Sequence, residues 1–206
     1  HEMARIVEWL RMCNKREIRE VHEKICQNER VDEKTKKAIN ELIADALAIA
    51  GTHVTVEHLL EKIRKEEISQ PKAVLSLKNL VNMRTPSKEV VEMVFNFLKK
   101  EEIRRQPALK QTLMLTWGAL INGVCGETKD RLLSEIEEPI CTRQLKNDWI
   151  REFKRLLEEA EDRYEKVLVL KTMANAGIDT QVHLLEDIIY NKNEEIVVRV
   201  SAIDAL

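Results

Sequence analysis

Aromatic residues are scarce, 4% of a 206-residue chain, so Leu, Ile, Val and Ala must do the packing, as they do where helix lies on helix. Glycine occurs only five times, four of them at or near expected helix ends, and none forms a phosphate-cradling loop. No charge sign dominates. Thirty-four basic residues face thirty-six acidic ones, for a net charge of -2, which lacks the positive excess of a nucleic-acid binder. No long hydrophobic run exists. Runs such as Val167–Leu170 are far too short to span a membrane. Sustained two-residue alternation is also missing, so essentially no β-structure is expected. There is no Asn-x-Ser/Thr sequon, which leaves secretion open.

What the chain does have is charge in quantity, 34%, with acidic and basic residues alternating at helical spacing. Arg16, Glu17, Arg19 and Glu20 are one such run, and Lys99, Lys100, Glu101 and Glu102 another; both are the pattern of solvated helix faces. Apolar residues recur at intervals of three and four in Ile39, Leu42, Ile43, Ala46, Leu47, Ala50 and in Val90, Met93, Val94, Phe97, Leu98. The periodicity predicts helices at about 3–13, 15–27, 33–50, 55–66, 71–83, 87–100, 107–123, 128–136, 143–160, 162–176, 180–190 and 195–206. Pro71, Pro86 and Pro107 stand where a helix should begin. Thr85 and Thr55 suit helix N-caps, and Asp179-Thr180 opens the helix after Gly177. Met3 to Met12 already reads as amphipathic helix without a cap, and Leu206 falls inside a helical pattern. Both ends are therefore expected to be cuts in a longer chain, which makes the lack of a signal peptide uninformative.

The helices repeat a line: an apolar helix ending in small residues, then a second amphipathic helix. It reads Asp45-Ala-Leu-Ala-Ile-Ala-Gly51-Thr52, Leu77-Lys-Asn-Leu-Val-Asn-Met83, Leu115-Thr-Trp-Gly-Ala-Leu-Ile-Asn122-Gly123 and Leu170-Lys-Thr-Met-Ala-Asn-Ala-Gly177. Val200–Leu206 begins a fifth copy. Gly51, Gly123 and Gly177 are the expected turns, supplying a left-handed conformation at the helix end. Such recurrence marks a stacked array of helical pairs. The fold class expected is all-α, a single HEAT-like helical-pair solenoid over 1–206. The interval from Gly123 to Gly177 is the longest. It holds Cys125, Cys141 and a charged helix, Asn147–Glu161, and reads as an insertion near 124–161 with that helix facing water.

No constellation carries catalysis. Glu101, Glu102, Arg104 and Arg105 form an exposed turn without the desolvated pocket a catalytic acid needs. His22 and Cys26, four apart on one helix face, have zinc-ligand spacing, but a third ligand is wanting: Cys13 lies beyond the far end of the helix. A partly buried pair is the better reading, and no metal is expected. His53 and His58 are five apart, off a common face, and His183 stands alone. There is no His-Glu-x-x-His and no Gly-x-Ser-x-Gly. Trp117 lies in a small-residue helix and should be core; Trp9 and Trp149 are either core or contact residues, with core the preferred reading. No cofactor is implied.

The cysteines divide unequally. Cys13 and Cys26 bracket one helix whose ends stand roughly 15–18 Å apart at 1.5 Å per residue, against the Cα separation of about 7 Å that a disulfide allows. They cannot pair while that helix is intact. Cys125 and Cys141, beside Gly126 and Pro139, lie where chain ends can be brought together. From the residues alone, a bridge and two buried free thiols stand as alternatives.

Taken in order, Asp45–Thr52, Ile68-Ser-Gln, Arg84-Thr-Pro-Ser87, Leu115–Leu120 with Cys125 after it, Leu170–Gly177 and Val198–Leu206 resemble the helical domain of the large lipid transfer proteins. Vitellogenins and insect-type apolipophorins are the nearer cousins, microsomal triglyceride transfer protein and apolipoprotein B the more remote. The resemblance runs from about Ile39 to Leu206, and its most specific part is the Leu170–Gly177 line followed by Val198–Leu206. It implies a right-handed, two-layer α-superhelix that braces lipid-bearing β-sheets lying outside these residues. It also implies a secreted lipid-transport parent whose partners are lipid, held through those sheets, with self-association or receptor contact besides. The Cys125–Cys141 pair resembles a disulfide found at this place in the family, which favours the bridge; Cys13 and Cys26 match no family pattern. Met83-Arg84-Thr85 departs from the other copies in lacking a glycine. The competing reading is a generic HEAT-like protein-interaction scaffold, unrelated to lipid and cytosolic.

Overall fold

The computed structural model describes residues 2–83, 86–125 and 141–206. Among them every regular element is helical. The expected helix 128–136, with Arg84, Thr85, Gly126 and Pro139, lies outside the described residues. The chain divides into two compact units, residues 1–112 and 113–206.

The first unit holds α1 (Glu2–Met12), α2 (Lys15–Cys26), α3 (Glu33–Ala50), α4 (His53–Arg64), α5 (Gln70–Asn79), α6 (Lys88–Leu98) and the single-turn α7 (Glu101–Arg104). A 3-10 turn, Leu80–Asn82, extends α5. Side chains set the starts. The Asn14 amide oxygen accepts from the backbone N–H groups of Arg16 and Glu17, and Glu17 accepts from the Asn14 N–H at 2.8 Å, a reciprocal cap. Asp32 caps α3 through the Thr35 N–H. Gly51, at φ 63°, ends α3 in the left-handed region. Thr52 follows at once as the cap of α4, and Thr55 sits inside α4 as its capping partner. The expectation that Thr55 caps this helix is corrected: with Gly51 already turning the chain, Thr52 is the first residue free to cap.

Two prolines also differ from expectation. Ser87 caps α6 by accepting from the Val90 N–H, so Pro86 lies just before the cap, not at the first helical position. Pro71 is the second residue of α5, after Gln70. Within the unit α1, α3 and α5 pack side by side, as do α2, α4 and α6, and α3 also packs on α4. The result is two layers. Between them lie the fully buried Ala44, Leu47, Ala48, Val56, Leu59, Leu77, Val91 and Val94.

The second unit begins within α8 (Pro107–Cys125) and continues through α9 (Arg143–Glu159), α10 (Arg163–Ala176), a 3-10 turn at Asp179–Gln181, α11 (Val182–Tyr190) and α12 (Ile196–Asp204). Pro107 opens α8. Gly177, at φ 56°, ends α10. Gly123 does not mark a turn: α8 runs on through it to Cys125, because Val124 and Cys125 carry the buried side of the helix past the glycine. The charged helix expected to face water is also corrected. Thr142 caps α9, which turns Leu145, Trp149 and Phe153 inward, and the Phe153 ring lies 5.0 Å from that of Trp117. Its spacing of four puts one apolar stripe beneath a charged surface.

Candidate functional site

The two layers of the first unit present different chemistry to solvent. Every exposed large apolar side chain among the unit's described residues, Ile6, Trp9, Met12, Leu42, Ile49, Leu75 and Val81, belongs to α1, α3, or α5 with its 3-10 turn. Leu42 and Ile49 are two turns apart on one side of α3, each over 40% exposed. The described residues of the opposite layer show none. Its exposed positions on α2, α4 and α6 are Arg16, Glu20, Glu23, Lys24, Arg64, Lys88, Glu89 and Glu92 among others. Trp9, expected in the core, is 42% exposed, because α1 covers only its Val7–Leu10 side against α3.

Beneath the charged layer lies a polar cluster. The Lys62 ammonium, 1% exposed, donates to the Asn40 side-chain oxygen at 3.0 Å, to Glu67 Oε2 at 3.1 Å and to His22 Nδ1 at 2.9 Å. These partners come from α3, the turn after α4, and α2. The turn is drawn tight: Glu66 takes a left-handed backbone, φ 57°. His22 Nε2 lies 3.4 Å from Glu67 Oε2 and 3.5 Å from Cys26 Sγ. The His58 ring stands edge-on to His22 at 5.6 Å, and its Nε2 is buried without a hydrogen-bond partner. Burial holds the His58 imidazole down to about 4, helped by the Lys62 cation, and lowers His22 for the same reasons. Burial also lowers Lys62, against the pull of Glu67. A cleft of about 400 Å³ opens beside this cluster, lined by residues of α2 and α4.

The structure separates the positions singled out from sequence. Cys125 and Cys141 are disulfide-bonded, Cα atoms 5.2 Å apart, while Cys13 is a buried free thiol and Cys26 an exposed one. His22 and Cys26 do face each other, but among the described residues no group of His, Cys, Asp and Glu is arranged to hold a metal. His53 and His183 are apart from the cluster. Trp117 and Trp149 are buried. Sequence reasoning passed over Lys62. Its signal was weak: a lysine at the position of α4 between Leu59 and Ile63, both buried.

In the second unit, α12 buries Val198 and Ala202 and leaves Val197, Val200 and Ile203 exposed. Among the described residues no helix is long and apolar enough to cross a membrane.

The whole chain, residues 1–206, matches the family model described as the vitellogenin TPR domain. Vitellogenin-6 of Oscheius tipulae is 44% identical over 208 aligned residues, and vitellogenin-6 of Caenorhabditis elegans 36% identical over 206; each comparison covers all of this chain and 12% of the relative. The chain therefore spans about an eighth of the length of these relatives. Vitellogenin-1 of Fundulus heteroclitus is 24% identical over 136 residues, 65% of this chain and 7% of its own. A solved structure of lipovitellin is similar in three dimensions, with a TM-score of 0.76 at 21% identity, covering 99% of this chain and 20% of that one. This likeness fits a helical superhelix. With a family model matched from end to end, the chain belongs to the vitellogenin family.

Proposed function

We propose that residues 1–206 form one helical scaffold domain of a secreted, vitellogenin-type lipid-transport protein, bracing the β-sheets that carry lipid and having no catalytic role of its own. The observation that carries this reading is the one-sided distribution of apolar residues in the first unit. Residues from Ile6 to Val81, on three helices, leave large apolar side chains in water on one layer, while the other layer is charged. A free-standing domain gains nothing from such a face, whereas a domain that leans on another body needs one. Membership of the vitellogenin family, and the likeness to a structure concerned with lipid–protein interactions in lipovitellin, favour a lipid-carrying parent over a generic interaction scaffold. The long apolar β-regions would then hold the lipid, and the helical layers would hold those regions in place.

Site-directed photo-crosslinking in the full-length protein tests this. A photoreactive residue at Leu42 or Ile49 should crosslink to segments of the same chain outside 1–206, and one at Glu20 or Glu92 should not. Equal crosslinking from both layers, or none from Leu42 and Ile49, rejects the division of labour.

A further inference from the structure

The cluster around Lys62 works only with neutral imidazole. Lys62 has three protons and three acceptors, Asn40, Glu67 and His22 Nδ1. To accept from an ammonium, Nδ1 must carry a lone pair, which places the His22 proton on Nε2, toward Glu67 Oε2 at 3.4 Å. We propose that His22 and His58 make this cluster an acid-sensitive clasp, which holds α2 on the first unit at neutral pH and releases it on acidification.

Adding a proton has a definite consequence in this geometry. A protonated His22 can no longer accept from Lys62, so a buried ammonium loses a partner and gains a cation 2.9 Å away. Among the described residues Glu67 is the carboxylate paired with both groups, and its single negative charge cannot offset two positive ones. The surroundings do not change the sign. His22 faces Glu23 and Cys26 of its own helix, Lys62 and His58 of α4, and Lys65 and Glu67 just beyond it; Asn40 of α3 is neutral, and Arg19 of α2 lines the same cleft. His58 faces Lys62, His22, Glu67 and Arg19. Of the other charges lining the cleft, Lys15 and Glu57 are paired at 2.5 Å, and Glu61 is held by Arg64 and Lys65. His58 Nε2 is buried, so a proton there meets no acceptor.

The same groups set the direction in pH. In the unfolded chain both imidazoles take up a proton near the ordinary 6.5, whereas folded His58 resists until about 4 and folded His22 is also lowered. The contribution is whole above 6.5 and drains away as pH falls from there toward 4. The attachment of α2, which the first unit holds through α4 and this cluster, is lost first.

Hydrogen exchange by mass spectrometry on the full-length protein, corrected for the chemical pH dependence of exchange, reads the clasp. Amides of α2 should lose about tenfold or more in protection between about pH 6.5 and 4.5, while α10, which has no histidine, keeps its own. In an H22N/H58Q double variant, where the carboxamide introduced at position 22 can still accept from Lys62, the α2 loss should shrink to about threefold or less. A flat α2 profile in the native protein overturns the proposal. So does an undiminished loss in the double variant. If the double variant does not fold, the native titration still decides, together with single H58Q, which should reduce the loss.

Discussion

The side-chain amide of Asn175 donates to the backbone carbonyl of Leu115 at 3.2 Å, where α8 and α10 press together over Gly118. A Cβ on Gly118 would collide with the Thr172 carbonyl oxygen and stand 3.1 Å from Asn175 Cβ. Glycine is there because a backbone, not a flexible side chain, lies opposite. Both residues belong to the recurring line, Asn175 from Leu170–Gly177 and Gly118 from Leu115–Gly123. The small residues of one copy thus receive the next copy, as stacked helical pairs require. Gly118→Ala should destabilise the second unit by about 1–3 kcal/mol, and Asn175→Ala by about 1 kcal/mol. Chemical denaturation followed by Trp fluorescence measures both, since buried Trp117 is its neighbour in α8. A Gly118→Ala protein as stable as the native one would mean that the helices can separate at no cost.

Gly51 is a different kind of glycine. Its φ of 63° is the left-handed region, and a Cβ there would lie 2.7 Å from Met83 Cγ. Gly51→Ala should cost about 1–2 kcal/mol from the backbone alone. Adding Met83→Ala should relieve the steric part and leave the backbone part. A double-mutant cycle checks the separation: strictly additive effects would show that Met83 does not press on the turn.

Thr52 caps α4 directly after that turn. Thr52→Ala should cost about 1 kcal/mol, and Thr52→Ser should restore most of it. Thr55→Val should cost less, since Thr55 supplies only the return half of the cap. Denaturation midpoints of the three variants give the order.

These helices were largely legible in the chain because local chemistry fixes them: Gly51 and Gly177 turn, Pro107 opens α8, and threes and fours of Leu, Ile, Val and Ala mark the buried stripes. The features that escaped depend on partners distant in sequence. Lys62 reads as one more surface cation until Asn40 and His22, from two other helices, meet it. Trp9 reads as core until α1 is seen to be covered on one side alone. Leu145 and Phe153, one turn to either side of the core residue Trp149, were present but hidden among charges. Gly123 differs from Gly51 in the residues after it: Val124 and Cys125 continue the helix, where Thr52 after Gly51 begins a new one.

The buried cation makes its own demand. Glu67→Ala removes one of three acceptors from Lys62 and leaves the ammonium short of charge compensation; because Glu67 is about a quarter exposed, water restores part of the loss. A destabilisation of about 2 kcal/mol at neutral pH is expected. Lys62→Met, which removes the charge and fills similar space, should cost less than Glu67→Ala despite the lost hydrogen bonds. The reverse order would show that the ammonium is tolerated without its carboxylate.

The last prediction separates the scaffold from the lipid. In both units the apolar stripes are largely consumed by neighbouring helices: Leu47, Leu59, Leu77 and Val94 in the first, Trp117, Phe153, Leu170 and Leu185 in the second, are at or near zero exposure. The apolar remainder outside is Ile6, Trp9, Met12, Leu42, Ile49, Leu75 and Val81 in the first unit and, in the second, side chains such as Val182, Ile196, Val197, Val200 and Ile203; in each unit these stand on the outer sides of helices already paired on their buried sides, fit to meet another protein body. Residues 1–206 on their own should therefore bind few lipid molecules, and the full-length protein many. Delipidation, reloading with a phospholipid dispersion and native mass analysis of the two side by side give the comparison. Substituting Leu42 and Ile49 by Asp in the full-length protein should lower lipid retention without unfolding either helical unit, because both side chains lie outside the helical core. If the short chain alone retained as much lipid per mass as the parent, the helices themselves would be the carrier, and the apolar layer would be a lipid surface instead of a brace.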